Sequence, residues 1–181
     1  MHILALDISL SATGILVLNL DGNPVHGECI KTEASAKKRK IMQMEDDHER
    51  ISTIVSTLNQ LHKKYNFQIV VGEVPPGFSK SARSATAMGM AKSCIWTWAL
   101  VLKIPFFAVT PRESKKAVCG NPNASKEDVQ KAVQALWSDF KFPSINYILE
   151  AVCDAGAAYI VARNNAIFST IIKMKKEVYE N

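Results

Sequence analysis

Three acidic residues stand where a charge is expensive unless it is used. Asp7 closes the apolar run His2 to Leu6, Glu73 closes the run Phe67 to Gly72, and Asp154 sits among Ala151, Val152, Cys153, Ala155, Gly156 and Ala157. Each has an ordinary explanation when taken singly. Asp7 is then a turn acceptor, Glu73 the partner of an arginine, and Asp154 the cap of a neighbouring element. Taken together they point elsewhere: two adjacent strand tips and a helix crossing the sheet bring the carboxylates into one place, where repulsion raises their pKa values unless a cation offsets it. Hard carboxylate oxygens without clustered His or Cys suit Mg²⁺ or Mn²⁺. Glu150 precedes Asp154 by four residues, so both project from one helix face; it is a fourth ligand or, equally, an exposed helix acid. Two ions in such a cluster would activate water on one side of a phosphodiester and stabilise the leaving 3′ oxygen on the other, leaving a 5′-phosphate.

The elements that must position these acids are legible from pattern. His2 to Leu6 is a continuous apolar run, expected for a strand buried on both faces. Gly14 to Leu20 and Val25 to Thr32 read as two further strands joined by the turn Asp21-Gly22-Asn23-Pro24. The polar, lysine-rich segment Ala34 to Met44 is a mobile loop or the fraying start of a helix. Ile51, Ile54, Val55, Leu58 and Leu61 then recur at helical spacing. Phe67 to Gly72 is a fourth strand, stopped by Pro75-Pro76-Gly77.

A helix over Ser81 to Leu102 follows, with Ala82, Ala85, Gly89 and Ser93 forming a small-residue stripe. That stripe is either ordinary core packing or a dimer or substrate surface. Ile104 to Val109 is a fifth strand, and Thr110-Pro111-Arg112-Glu113 starts a short helix closed by Gly120. Ser125-Lys126-Glu127-Asp128 starts another, and a last major helix runs through Glu150 and Asp154 to about Ala162. The expectation is one α/β domain over residues 1–181, a mixed five-stranded sheet flanked by helices.

Composition narrows the class. The chain has 181 residues, of which 48% are apolar, enough for a core without staples. Its four cysteines, Cys29, Cys94, Cys119 and Cys153, show no CxxC pairing and read as buried thiols of a reducing compartment. The N-terminus lacks a signal-peptide pattern, and the apolar stretch Cys94 to Leu102 is too short to span a bilayer. A soluble cytoplasmic protein is expected, in a bacterium or a phage-infected host cell, with no membrane partner. A net charge of +5 fits an anionic partner. Basic residues gather at 37–40, 63–64, 115–116 and 173–176, with Lys80 and Arg83 following the Glu73 strand; the last cluster reads as a solvated helix face.

The chain resembles the RuvC family of Holliday-junction resolvases, as a divergent and phage-like member. The resemblance lies in Leu4-Ala5-Leu6-Asp7 with Thr13-Gly14, in Val70-Val71-Gly72-Glu73, in Ser84-Ala85 with Gly89 and Ala91, and in Cys153-Asp154-Ala155. Ser114 to Gly120 followed by Ala124-Ser125-Lys126 is similar to the family's basic segment before the last helix.

It implies an RNase H-like fold, a homodimer with two active sites, and Mg²⁺- or Mn²⁺-dependent paired nicking of four-way junctions. On it Asp7, Glu73 and Asp154 are metal ligands, with Glu150 in the place of a variable fourth. Lys126 joins them as a catalytic residue, and Lys115 and Lys126 match the family's DNA-backbone positions; Lys80, Arg83 and Lys116, from the basic clusters, are further candidate DNA contacts, unless these are merely solvated charges. Asp7-Ile8-Ser9 departs from the usual Asp-Pro-Gly. Phe78, offset from the family's aromatic after the second acid, is the candidate base-stacking wedge.

Three other readings stand beside this one. A nuclease of the same fold would act on flaps, forks or three-way junctions, and a catalytically silent protein would bind branched DNA through the same basic surface. A sugar-kinase or actin-like phosphate binder would use Asp7 to Gly14 as a phosphate loop, but it needs a second similar domain.

Overall fold

The computed structural model describes residues 1–34, 42–74 and 81–180. Five strands form one sheet: β1 (His2–Asp7), β2 (Ala12–Asn19), β3 (Pro24–Lys31), β4 (Phe67–Glu73) and β5 (Phe106–Val109), in the order β3-β2-β1-β4-β5. The hairpin pairs β1, β2 and β3 antiparallel, whereas β4 and β5 join β1 in parallel, so the sheet is mixed as expected. The helices are α1 (Gln43–Tyr65), α2 (Ala82–Val101), α3 (Pro111–Cys119), α4 (Lys126–Leu136), α5 (Asn146–Arg163) and α6 (Ala166–Glu180).

Strand alternation builds two cores from one sheet. Leu4, Leu6, Ile15, Val17 and Val70 face α1 and α2, where Ile54, Leu58, Ile95 and Trp98 cover them. Ile3, Ala5, Leu16, Leu18, Ile69 and Val71 face the other way, onto Val152, Ala155 and Tyr159 of α5. Both faces being covered explains why these strands read as apolar runs instead of alternating ones. Each fully buried Leu or Ile contributes about 1.5–3 kcal/mol. The helix starts follow local chemistry: Thr110 caps α3 and Ser125 caps α4 through reciprocal capping boxes, and Gly120 ends α3 at φ 70°.

Several boundaries differ from the sequence pattern for identifiable reasons. Ile104 is not in β5, because its amide donates to the Ala99 carbonyl at 2.9 Å and finishes the end of α2. The lysine cluster at 173–176 lies on α6, which docks through buried Phe168 against Phe107 and Tyr159. The expected loop from Ala34 to Met44 falls largely outside the described residues, and α1 begins at Gln43. All four cysteines are free, but only Cys153 is buried; the other three are half-buried because their strand and helix faces lie at the rims of the cores. The small-residue stripe on α2 is not core packing within the chain: Ala82, Ala85 and Ser93 are exposed, and a Cβ on Gly89 would meet nothing within 4 Å among the described residues. No described helix is long and apolar enough to cross a membrane.

Candidate active site

One row of residues crosses the sheet at its functional end. Cys29 pairs with Gly14, Gly14 with Asp7, and Asp7 with Glu73, so all four lie on the α5 face of neighbouring strands. Asp7 and Glu73 continue the buried rows Ile3-Ala5 and Ile69-Val71, which puts two carboxylates where apolar side chains would otherwise sit.

Gly14 sets how closely α5 approaches that row. A Cβ on Gly14 would lie 2.1 Å from the Ala151 carbonyl oxygen and 2.5 Å from its carbon. Only a residue without a side chain allows α5 to settle there, with Asp154 and Glu150 within one turn of the contact. Gly14→Ala is therefore expected to cost about 1–3 kcal/mol through overpacking, a fall of roughly 2–10 °C in melting temperature. Lifting the helix by even part of an ångström is expected to slow any chemistry at the acids by up to about 100-fold. Thermal melting and a nuclease assay on the same preparation check both effects.

The acids share one electrostatic environment. Burial, then the charges of Asp154 and Glu73, push the Asp7 pKa up to about 8, against relief from Lys126. Burial raises Glu73 to about 7, with Asp154 adding to the rise and Ser114, Lys115 and Lys126 opposing it. Asp154 rises to about 6, again chiefly by burial, with Lys126 and Lys115 opposing and Glu150 adding. The sequence-predicted acids are thus brought together, as are Lys115 and Lys126.

They do not converge into a finished chelate. Among the described residues no group of three or more His, Cys, Asp or Glu is arranged to hold an ion. Glu150 is instead paired with Lys126, and that hydrogen bond is the main cause of the raised Lys126 pKa. The donor chemistry still fits a hard divalent cation: burial and mutual repulsion raise the pKa values of three crowded carboxylates, and a cation in their midst would remove that penalty.

Ser114 entered the sequence reading only as the first residue of the basic segment, with no role of its own. It is 2% exposed, lies beside Glu73 closely enough to lower its pKa, and yet its hydroxyl completes no hydrogen bond of good geometry. An orphaned buried hydroxyl beside a buried carboxylate is the kind of group that a ligand or metal-bound water would satisfy.

The remaining basic candidates divide. Lys115 is half-buried on α3 and Lys116, next to it, is exposed. Arg83 does not extend freely toward solvent: its guanidinium makes a two-pronged pair with Asp47 of α1, one arm at 2.6 Å, because the first turns of α1 and α2 lie side by side. Lys80 and Phe78 lie outside the described residues.

Arg50 was also missed. It is buried on α1 and donates to Thr32 Oγ1 and to Ser11 Oγ, each at 2.9 Å, pinning the segment that follows Asp7. Its signal was available: Asp47 and Arg50 continue the apolar stripe of Ile54, Leu58 and Leu61, so charges were bound to be buried there.

Three comparisons bear on this site. The family model for the crossover junction endodeoxyribonuclease RuvC matches residues 3–155. The RuvC of Protochlamydia amoebophila is 33% identical over 137 residues, covering 74% of this chain and 76% of its own. That of Endomicrobium trichonymphae is 29% identical over 183 residues, covering 97% and 91%. A solved structure of T. thermophilus RuvC in complex with Holliday junction substrate is similar with a TM-score of 0.72 and 21% identity, covering 91% of this chain and 96% of that one. This last likeness concerns the fold, which is RNase H-like.

Proposed function

The chain belongs to the RuvC family of crossover junction endodeoxyribonucleases, and from that membership we propose that it resolves four-way DNA junctions by paired, metal-dependent hydrolysis leaving 5′-phosphates. One observation carries the reading: Asp7 and Glu73 stand in register on the tips of β1 and β4, in one electrostatic cluster with Asp154 of α5. We assign Asp7, Glu73 and Asp154 as the metal ligands, with Glu150 recruited when its pair with Lys126 opens. Mg²⁺ or Mn²⁺, two ions per site, would supply an activated water and Lewis acidity at the phosphate. The chain's own contribution is position and field. Gly14 seats α5 against the strand tips; Lys115 and Lys126 attract a phosphate and lower the cost of gathering three acids; Ser114 holds a buried donor toward Glu73.

The whole activity is assigned to one domain spanning residues 1–181, working on DNA in the bacterial cytoplasm. A homodimer would give the two active sites that paired nicking needs. Its best candidate surface is the face of α2 left uncovered among the described residues, with the adjoining apolar groove of Ile51, Val55, Met90, Cys94 and Trp98, beside exposed Leu100 and Val101.

Comparing four-way, three-way, flap and linear duplex DNA, each with Mg²⁺ and with chelator, tests the proposal. Symmetric metal-dependent nicks in four-way junctions are expected. Preferential cutting of flaps or three-way junctions would assign the chain to the related branched-DNA activity, and metal-independent binding without any cutting would make it a DNA-structure-binding protein. Neutralising Lys115 or Lys126 is expected to weaken junction binding and to lower the slope of log K against log salt by about one each, as loss of a phosphate contact does. Unchanged slopes for both would return these lysines to the solvated surface.

A further inference from the structure

The β3 edge of the sheet, across it from β5 and the Lys115 helix, carries a second pair of groups suited to nucleic acid. Tyr147 lies on α5 three residues before Glu150 and seven before Asp154, so the three share a helix face. It is 46% exposed, an unusual position for an aromatic ring beside a charged cleft. Lys31 ends β3 two residues after Cys29, which belongs to the row containing Gly14 and Asp7, so Lys31 points to the same side of the sheet as those residues. Its ammonium sits 5.5 Å from the centre of the Tyr147 ring. It also makes a surface pair with Glu33 at 2.6 Å, which a phosphate can replace.

We propose that Tyr147 and Lys31 form the second wall of the cleft and hold the nucleotide flanking the scissile phosphate, Tyr147 by stacking on its base and Lys31 by contacting its phosphate. The inference rests on the nuclease reading above and adds a positioning role to it. An aromatic face stacks on any base, and a cation held over the ring's edge of the cleft meets the backbone that such a base brings with it. With Lys115 on α3, after β5 at the other edge of the sheet, the strand to be cut is gripped on both sides of the acids. A base at a junction crossover is already partly unstacked, so the contact favours branched over continuous duplex DNA.

The test uses four-way junctions with 2-aminopurine placed on either side of the mapped cut, bound in chelator to wild type, Tyr147→Leu, Tyr147→Phe and Lys31→Gln. Wild type is expected to change the probe's fluorescence on binding. Tyr147→Leu is expected to lose that change at one flanking position and to weaken binding about tenfold, while Tyr147→Phe, which keeps the ring, rescues both. Lys31→Gln is expected to reduce the salt slope by about one. Unfolding of Tyr147→Leu would abolish the signal at both flanking positions, whereas loss of stacking removes it at one, and Tyr147→Phe keeps the outcome decisive. If wild type binds and nicks junctions but Tyr147→Leu matches it in fluorescence and affinity, this inference fails alone. If wild type neither binds nor nicks them, the nuclease reading fails with it.

Discussion

Replacing Asp7 by Asn is expected to abolish metal-dependent nicking, a loss of about 10³-fold or more, while junction binding in chelator stays within about twofold of wild type. Asp7 is the right position for the first test because Asp154, Glu73 and Glu150 all act on its carboxylate. The substitution is close to isosteric, so the packing of Ile3, Ala5 and α5 is left alone. It removes one anionic oxygen ligand and leaves the lysines in place. Glu150→Gln is expected to have a smaller effect, since that carboxylate is already committed to Lys126. Undiminished cleavage by Asp7→Asn would remove the proposed site.

The same substitution is expected to stabilise the metal-free protein at alkaline pH. Folding raises Asp7, Glu73 and Asp154 to about 8, 7 and 6, so the folded chain holds protons that the unfolded chain has already released. The linkage sign follows: this contribution is fully present below the ordinary carboxylate pKa of about 4 and is lost as pH rises through the folded values. His62, whose pKa burial lowers, works in the opposite direction over part of that window, but it is common to both proteins and cancels in their comparison.

In chelator, wild type should therefore lose melting temperature relative to Asp7→Asn between pH 5 and pH 8.5. Adding Mg²⁺ at pH 8.5 should restore the wild type and leave the variant nearly unchanged. A difference between the two proteins that does not vary with pH would show that Asp7 is not buried among like charges.

How much of this was legible in the sequence depends on the range of the interactions involved. Asp7 and Glu73 were visible because a charge ending an apolar run is costly wherever the run is buried, and that cost is local. The start of α3 was visible because Thr110, Pro111 and Glu113 specify it within one turn. Glu150 kept two readings open because i,i+4 spacing fixes a helix face without saying what faces it; packing of α4 on α5 brings Lys126 to it from 24 positions away.

Arg83 illustrates the opposite limit. A cation near the second acid looked like a DNA contact, but charge alone does not choose its anion, and Asp47, 36 residues earlier, is within reach only after α1 and α2 are side by side. Ser114 was read only as part of the basic segment, since the role of a serine in a short helix shows only once the helix is docked. Gly14 was noticed as part of a motif, whereas its reason, the Ala151 carbonyl, belongs to a helix more than a hundred residues later.

Calorimetric titration of Mn²⁺ into the wild type, Asp7→Asn and Asp154→Asn tests the central claim most directly, because it asks whether the carboxylate cluster holds the ions at all. About two ions per chain are expected for the wild type, with proton release on binding, and a loss of tight binding in either variant. Equal affinity and stoichiometry in all three proteins would contradict the assignment of these acids as the metal site.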